Sequence, residues 1–248
     1  MSYIVRSNAN MPKPKAWTVN RQAELRARPK TSNQVTRRVD VSWLTSTGEI
    51  GSRTTVAPAL PAFEQAFSSF VQGTLIQTSE GYVAIDDLEP GMMIATADGG
   101  TQPLLWIGSM TIYPQNPELG LPESQLYRLT DGSYGQDGSA PDLMLGPGAR
   151  IMSGINAIDS SSKLTDVQDA ADGHSVIQIR PLSPLRVYHL ALANHRLVRA
   201  NGVLAETFHP GSDTRMHMST EMYDLFISLF PHIRSDSDFG PLNHKRND

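Results

Sequence analysis

Histidines and carboxylates are the side chains of this sequence that could move protons, and cysteine is absent altogether. The stretch YHLALANHRL contains His189 and His195, and either imidazole could act as a general acid or base near neutral pH. Tyr188 and Leu190 fall on the opposite face of the presumed strand from His189. The lack of cysteine excludes disulfides, thiolate metal sites and thiol nucleophiles.

Metal binding is not indicated by the remaining candidate ligands. The histidines considered are His189, His195, His209 and His217. A metal site needs three or four converging ligands, and spacing across loops and strands gives no sign of convergence. Asp86, Asp87 and Glu89 precede a proline and are interpreted as solvated turn residues. We therefore expect neither a metal nor a cofactor.

The composition is that of a soluble globular chain rich in turns. The 248 residues are 39% hydrophobic and 19% charged, with 19 Gly and 17 Pro. No apolar run approaches the roughly 18 residues of a membrane span, and the N-terminus lacks the apolar core of a secretory signal. We expect no membrane contact, and a location in the cytoplasm or in a released particle, with leaderless export left open.

Charge is unevenly distributed along the chain. Residues 1–60 carry ten Lys and Arg against three Asp and Glu, whereas the remainder carries eleven against twenty-two. A basic arm on an acidic body could bind a protein surface, a second copy of the chain or nucleic acid. Nucleic acid is disfavoured because the arm lacks the interleaved aromatic side chains on which single strands stack.

Short apolar runs separated by turn residues predict an all-β fold. We expect about ten to twelve short strands after residue 71, a hairpin at 37–57 and a short helix in PALPAFEQAFSSF. The arm could hold one helix at 19–28, and the polar stretch 159–173 predicts a surface loop. STEMYDLFISLFP predicts a helix at 219–230 that begins at Ser219 or Thr220 and stops at Pro231.

Three parts follow from this pattern. Residues 1–58 are predicted to form a basic extended arm with one possible hairpin, and residues 59–212 a β domain. Residues 213–248 are predicted to form the C-terminal helix and a flexible tail.

Three segments of the β region together resemble the bacterial branch of the Hint family, the hedgehog and intein autoprocessing fold. They are FVQGTLIQTSEGYVAIDDLEPGMMIATADGGTQPLLWIG, DLMLGPGARIM and VYHLALANHRLVRANGVLAETFHPG. They follow the family's order from Ser69 to about Gly211. The resemblance implies a horseshoe-like β body and a site for self-cleavage.

In that family a Cys or Ser at the first position of the domain attacks the preceding peptide carbonyl in an acyl shift. The resemblance places Ser69 there, followed by Phe70, Gly73 and Thr74. A hydroxyl is almost entirely un-ionised near neutrality, so it depends on a neighbouring base.

The proton-handling residues of the family are missing from the matching positions. Gly146 and Ala149 in GPGA occupy the places of a hydroxyl residue and a histidine, and neither side chain can transfer a proton. Met92 replaces an acidic residue after the Pro90-Gly91 turn. Ala205 and Glu206 stand where inteins carry a His-Asn pair. His189 and His195 remain as candidates, interpreted as vestigial.

Three functions stay open at this stage. The first is a structural or protein-interaction component of an assembly, with crippled autoprocessing, that contacts a protein partner or further copies through residues 1–58 and the 219–230 helix. The second is single-turnover autoproteolysis between Ser68 and Ser69, with His189 or His195 as the base. The third is nucleic-acid binding through the arm.

Overall fold

A computed structural model describes residues 35–115, 124–130, 132, 134, 140–152, 163–211 and 217–247. The chain divides into two units, Met1–Gln34 and Val35–Asp248. The helix predicted at 19–28 and most of the predicted arm lie outside the described residues.

Sixteen antiparallel strands among the described residues confirm the all-β prediction. In chain order they are β1 Thr36–Leu44, β2 Ile50–Pro58, β3 Phe70–Val71, β4 Leu75–Thr78, β5 Gly81–Ala84, β6 Met93–Ala95, β7 Thr101–Pro103, β8 Trp106–Ile112, β9 Leu126–Leu129, β10 Leu143–Leu145, β11 Arg150–Met152, β12 Leu164–Asp166, β13 Val176–Ile179, β14 Leu185–Ala191, β15 Leu197–Ala200 and β16 Val203–Glu206. Thirteen of these strands follow residue 71, where the sequence predicted about ten to twelve, and most of the strands have only two to four residues.

Two sheets carry these strands. The first has the order β13-β9-β10-β3-β14-β8-β1-β2, and the second has the order β12-β11-β16-β15-β4-β6-β7 with β5 paired to β4. The predicted turn at Asn201-Gly202 joins β15 to β16, with positive φ at both residues. The Asn201 side chain also accepts the Leu75 N–H at 2.7 Å, which ties this hairpin to β4.

Two α-helices lie among the described residues, α1 at Pro61–Gln65 and α2 at Thr220–Ser228. Ser219 caps α2 by accepting the backbone N–H of Met222 at 3.3 Å, as the sequence predicts. None of the helices in the described part of the chain is long and apolar enough to cross a membrane.

The predicted hairpin at 37–57 is part of the β body. β1 pairs with β8 from Val39 opposite Met110 to Trp43 opposite Trp106. The alternating side chains of Val39 and Val41 are buried by this pairing. The body therefore begins near residue 36, whereas the sequence placed its boundary after residue 58, because periodicity does not reveal which strands become neighbours.

The loop predicted at 159–173 also contributes to the core. Its described part holds β12, and Leu164 and Val167 are fully buried. Polar residues surround these two apolar side chains, so the sequence pattern did not predict their burial.

The C-terminal residues are packed on the body, where the sequence predicted a flexible tail. Trp106 donates its Nε1–H to the carbonyl of Leu229 at 2.9 Å and lies 4.7 Å from the ring of Phe230. Farther along, Leu164 N–H donates to Lys245 O and Asn247 N–H donates to Leu164 O, both at 2.8 Å. Backbone hydrogen bonds of this kind cannot be predicted from the hydrophobic pattern of the sequence.

Replacement of Phe230 by alanine tests how strongly this C-terminal segment holds the body together. Phe230 is fully buried and stacks on Phe208 at 5.0 Å. We expect Phe230→Ala to lower the free energy of unfolding by about 3–5 kcal/mol, measured by urea denaturation. Leu182→Ala is the control, because Leu182 is 97% exposed and should change the value by less than about 0.5 kcal/mol. Equal effects would show that the segment is not part of the core.

Candidate functional site

The peptide bond between Ser68 and Ser69 is held by backbone hydrogen bonds on both sides. Ser69 precedes β3, which lies between β10 and β14. Its N–H donates to the carbonyl of Tyr188 at 2.9 Å. From the facing loop, Gly148 N–H donates to Ser68 O and Gly146 N–H donates to Ser69 O, both at 2.8 Å. The peptide is therefore fixed between β14 and the loop at 146–149.

Among the described residues, no base is hydrogen-bonded to the side chain of Ser69. Ser69 is fully buried, and its Oγ has no hydrogen-bond partner among the described residues. The same is true of Ser68 Oγ within that part of the chain. A serine nucleophile needs a proton acceptor within hydrogen-bond reach. The hydroxyl that the resemblance singles out is thus buried, with no proton acceptor bonded to it among the described residues.

Glycine at position 146 is required by the close approach of the loop to this peptide. A Cβ there would lie 2.4 Å from Ser68 O and 2.9 Å from Ser68 C. A Cβ at Gly148 would lie 2.7 Å from Gln65 O and 2.8 Å from Ser68 Oγ. The hydroxyl residue that the family carries at position 146 cannot be accommodated unless the Ser68 carbonyl moves. Ala149 is fully buried at the end of the loop.

His189 is buried among aromatic rings. The rings of Phe70 and Phe208 meet it edge-on at 6.0 and 5.3 Å, and its Nδ1 accepts the N–H of Leu190 at 3.1 Å. Burial lowers the pKa of His189 to about 3, so the imidazole is neutral at physiological pH. Together with Gly148, it lines a cavity of about 40 Å³.

His195 is bound on both ring nitrogens. Its Nδ1 accepts the backbone N–H of Asn243 at 3.1 Å, so Nε2 carries the hydrogen that is shared with Glu206 Oε1 at 2.7 Å. The Asn243 side chain also donates to the carbonyl of His195 at 3.0 Å. His195 is therefore engaged in a structural network and contacts no atom of the Ser69 hydroxyl.

Glu206 is the centre of that network. Arg246 reaches its Oε1 at 2.9 Å and Arg150 reaches its Oε2 at 3.4 Å. Burial by itself would raise the pKa of Glu206, but the hydrogen bond from His195 and the two arginines hold that pKa at about 2. The carboxylate is thus ionised and fully compensated inside the protein.

Sequence reasoning missed the partners of this carboxylate. It singled out Glu206 only as a departure from the family, and it did not single out Arg150, Asn243 or Arg246. Glu206 lies on a strand whose four residues are all buried. A buried carboxylate is costly without compensation, so such a glutamate indicates that a cation lies near it. Nothing in the sequence indicates that this cation comes from the last residues of the chain.

Two further histidines, His209 and His244, form a cluster with His195. The rings of His209 and His244 lie 5.3 and 5.4 Å from His195. His209 uses Nε2 to donate to Gly240 O and Nδ1 to accept from Gly211 N–H, both at 3.0 Å. Within the described ranges, no group of three or more His, Cys, Asp or Glu is arranged to hold a metal ion.

A match to a protein-family model identifies the family of this chain. The Hint domain model matches residues 68–212, which begin at the buried Ser68-Ser69 peptide and end three residues after His209. The chain belongs to the Hint domain family. The family includes autoprocessing proteins, and the present chain has their fold.

Solved structures of the same fold are distant in sequence. A bacterial intein-like domain from Clostridium thermocellum has 14% identity and a TM-score of 0.39, over 57% of this chain and 99% of that one. A splice-inactive variant of the AceL NrdHF class 3 split intein has 9% identity and a TM-score of 0.40, over 56% and 97%. The gp41-1 intein has 12% identity and a TM-score of 0.31, over 55% and 96%. No curated protein matches the sequence.

A methyl group at position 146 should disturb the peptide that the loop holds. We expect Gly146→Ala to lower the free energy of unfolding by about 1–3 kcal/mol, because the new Cβ collides with the Ser68 carbonyl. Gly100→Ala is a matched control, since its Cβ would meet Thr96 Oγ1 at an ordinary 3.5 Å. Urea denaturation of both variants measures the difference. Equal stability would show that the loop lies farther from Ser68 than the structure indicates.

Acid should destabilise the protein partly through His189. Its pKa falls from 6.5 in the unfolded chain to about 3 when folded, so between these values the unfolded chain binds the extra proton and stability falls as pH falls. Between pH 6.5 and 5, this costs about 2 kcal/mol. His189→Leu should remove this part of the dependence of the unfolding free energy on pH, measured by urea denaturation at several pH values. At pH 8, the difference in unfolding free energy between the wild type and His189→Leu gives the packing cost alone.

The charged groups around His189 do not account for the expected difference in pH dependence between the wild type and His189→Leu. The pKa of Glu206 is lowered from 4.5 to about 2, so the contribution of Glu206 to stability is present above pH 4.5 and is lost only below it. The other buried histidines are common to both proteins. An unchanged slope in His189→Leu would mean that His189 is not buried in the neutral form.

Proposed function

We propose that this chain is a Hint-fold protein that has lost self-cleavage and serves as a structural or protein-interaction component of an assembly. The observation that carries the proposal is the Ser69 hydroxyl, which is buried without a hydrogen-bond partner in the described part of the chain. A β body combined with a basic N-terminal segment suits such a role.

The acyl shift that the family performs needs three contributions from its surroundings. The Ser69 hydroxyl must lose a proton, the Ser68 carbonyl must be polarised, and the Ser69 nitrogen must gain a proton as it leaves. Gly148 N–H supplies the second by donating to Ser68 O. Positions 146 and 149 offer no side chain for either proton transfer.

The surviving histidines do not replace what is missing. A base whose pKa is about 3 holds a proton poorly at neutral pH, and no hydrogen bond joins His189 to Ser69 Oγ. His195 has both ring nitrogens committed to Glu206 and Asn243. Loss of one positioned acid or base typically costs about 10²- to 10⁴-fold in rate, and the resemblance implies the loss of a histidine at position 149 together with an orienting hydroxyl at position 146. We infer that the remaining rate is negligible.

The interaction role draws on surfaces that the fold leaves open. The C-terminal helix directs Phe226 into the core, so only its polar face remains for a partner. Residues 1–60 carry the excess of positive charge, and part of this segment is the exposed hairpin strand β2. We therefore assign the partner contacts to the N-terminal segment first and to the exposed face of α2 second.

Intact mass spectrometry of the purified full chain tests the loss of cleavage. We expect one species of 27.2 kDa after prolonged incubation with hydroxylamine, which captures esters formed by an acyl shift. Ser69→Ala is the matched control and should give the same pattern. Fragments that end at Ser68 and begin at Ser69, present in the wild type and absent in Ser69→Ala, would overturn the proposal in favour of single-turnover autoproteolysis.

A further inference from the structure

The strand β2 forms one edge of the first sheet. Among the described residues it pairs with β1 alone. The bonds from Thr45 N–H to Glu49 O and from Ala59 N–H to Val35 O, both 2.8 Å, fix which residue pairs exchange hydrogen bonds. In this pattern residues 51, 53, 55 and 57 direct their backbone groups towards β1. Residues 50, 52, 54 and 56 direct theirs away from the sheet.

Within the part of the chain that the structure describes, this edge lacks the features that normally keep sheet edges from pairing with other chains. β2 has nine residues, whereas the edge strands β7, β12 and β13 have three or four. Its single charged side chain, Arg53, is turned back to hydrogen-bond the carbonyl of Ser228 at the end of α2. Ile50 and Val56 are 51% and 55% exposed. Natural proteins protect long edges with charges, prolines or bulges, and Pro58 occurs only at the last position of β2.

We propose that β2 pairs with β2 of a second copy of this chain, antiparallel and centred on Thr54. An exposed row of backbone donors and acceptors is filled by an extended strand. In this register Thr54 faces Thr54 of the second copy, and Ser52 faces Val56. The three facing pairs exchange about six backbone hydrogen bonds. The two sheets join into one across the two-fold axis.

The side chains of β2 suit this register. Arg53 faces Thr55 of the second copy, so no like charges are opposed, whereas a centre at Arg53 would set two arginines against each other. Ile50 comes diagonal to Val56 of the second copy, which covers the two exposed apolar residues. A two-fold interface requires one patch that complements itself, and the stretch from Ile50 to Val56 meets that requirement.

This inference names the partner within the interaction role of the proposed function. It does not depend on the loss of cleavage, because assembly and self-cleavage are read out separately by molar mass in solution and by the covalent mass of the chain. A chain that assembles and also cuts itself would refute only the proposed inactivity.

A pair of charge variants tests both the interface and its register. Ser52→Lys with Val56→Glu sets opposite charges face to face twice across the axis. Ser52→Glu with Val56→Glu sets like charges face to face at the same places. In both variants the carboxylate introduced at position 56 lies opposite Arg38 on β1, so the monomers are matched there. Thermal denaturation at low concentration verifies that the two monomers are equally folded.

Sedimentation of the full chain over a wide range of concentration gives the result. We expect the wild type and Ser52→Lys/Val56→Glu to reach twice the 27.2 kDa of one chain. Ser52→Glu/Val56→Glu should dissociate at a concentration at least about tenfold higher. A wild type that stays monomeric, or two variants that dimerise equally, would overturn the proposal. If both charge variants still dimerise and the dimers are lost only on removal of residues 1–34, the contact belongs to that segment. This result would also overturn the proposal that β2 forms the interface.

Discussion

The loop at 146–149 lies against the Ser68-Ser69 peptide at a distance that only glycine allows, and much of the molecule depends on that contact. The N–H groups of Gly146 and Gly148 donate to the two carbonyls of the peptide. Because this loop connects β10 to β11, it links the two sheets next to β3. A side chain at Gly146 would separate the loop from the peptide. Gly146 therefore accounts both for the tight backbone packing here and for the absence of a side-chain hydroxyl at position 146.

A second constraint acts through the buried carboxylate of Glu206. An ionised group in the interior must be compensated, and here the compensation comes from Arg150 at the start of β11 and from Arg246 near the C-terminus. The tail is thereby fastened to the second sheet, and His195 is oriented by the same carboxylate. His195 and His209 thus both have their two ring nitrogens bound to structural partners.

Local pattern was sufficient to predict the strands, the α2 cap and the turn at Asn201-Gly202, because each depends on residues close together in the sequence. The family motif likewise identified the loop that meets Ser69. The sequence could not indicate that the 37–57 hairpin joins β8, or that Arg246 returns to Glu206, forty positions away. Such pairings depend on which elements become neighbours in space. The burial of His189 escaped prediction for the same reason, since it arises from Phe70 and Phe208 on other segments.

These constraints oppose single substitutions towards the side chains that the family resemblance implies at this site. A hydroxyl residue at position 146 would have to displace the Ser68 carbonyl, and that carbonyl is held by the Gly148 N–H that polarises it. A histidine at position 149 would have to enter a site where Ala149 is fully buried. An activated Ser69 would also need a base that is not already bound, whereas both nitrogens of His195 are engaged. Each such substitution would thus break a contact that the folded body uses, and this supports the proposal that the chain serves as a scaffold.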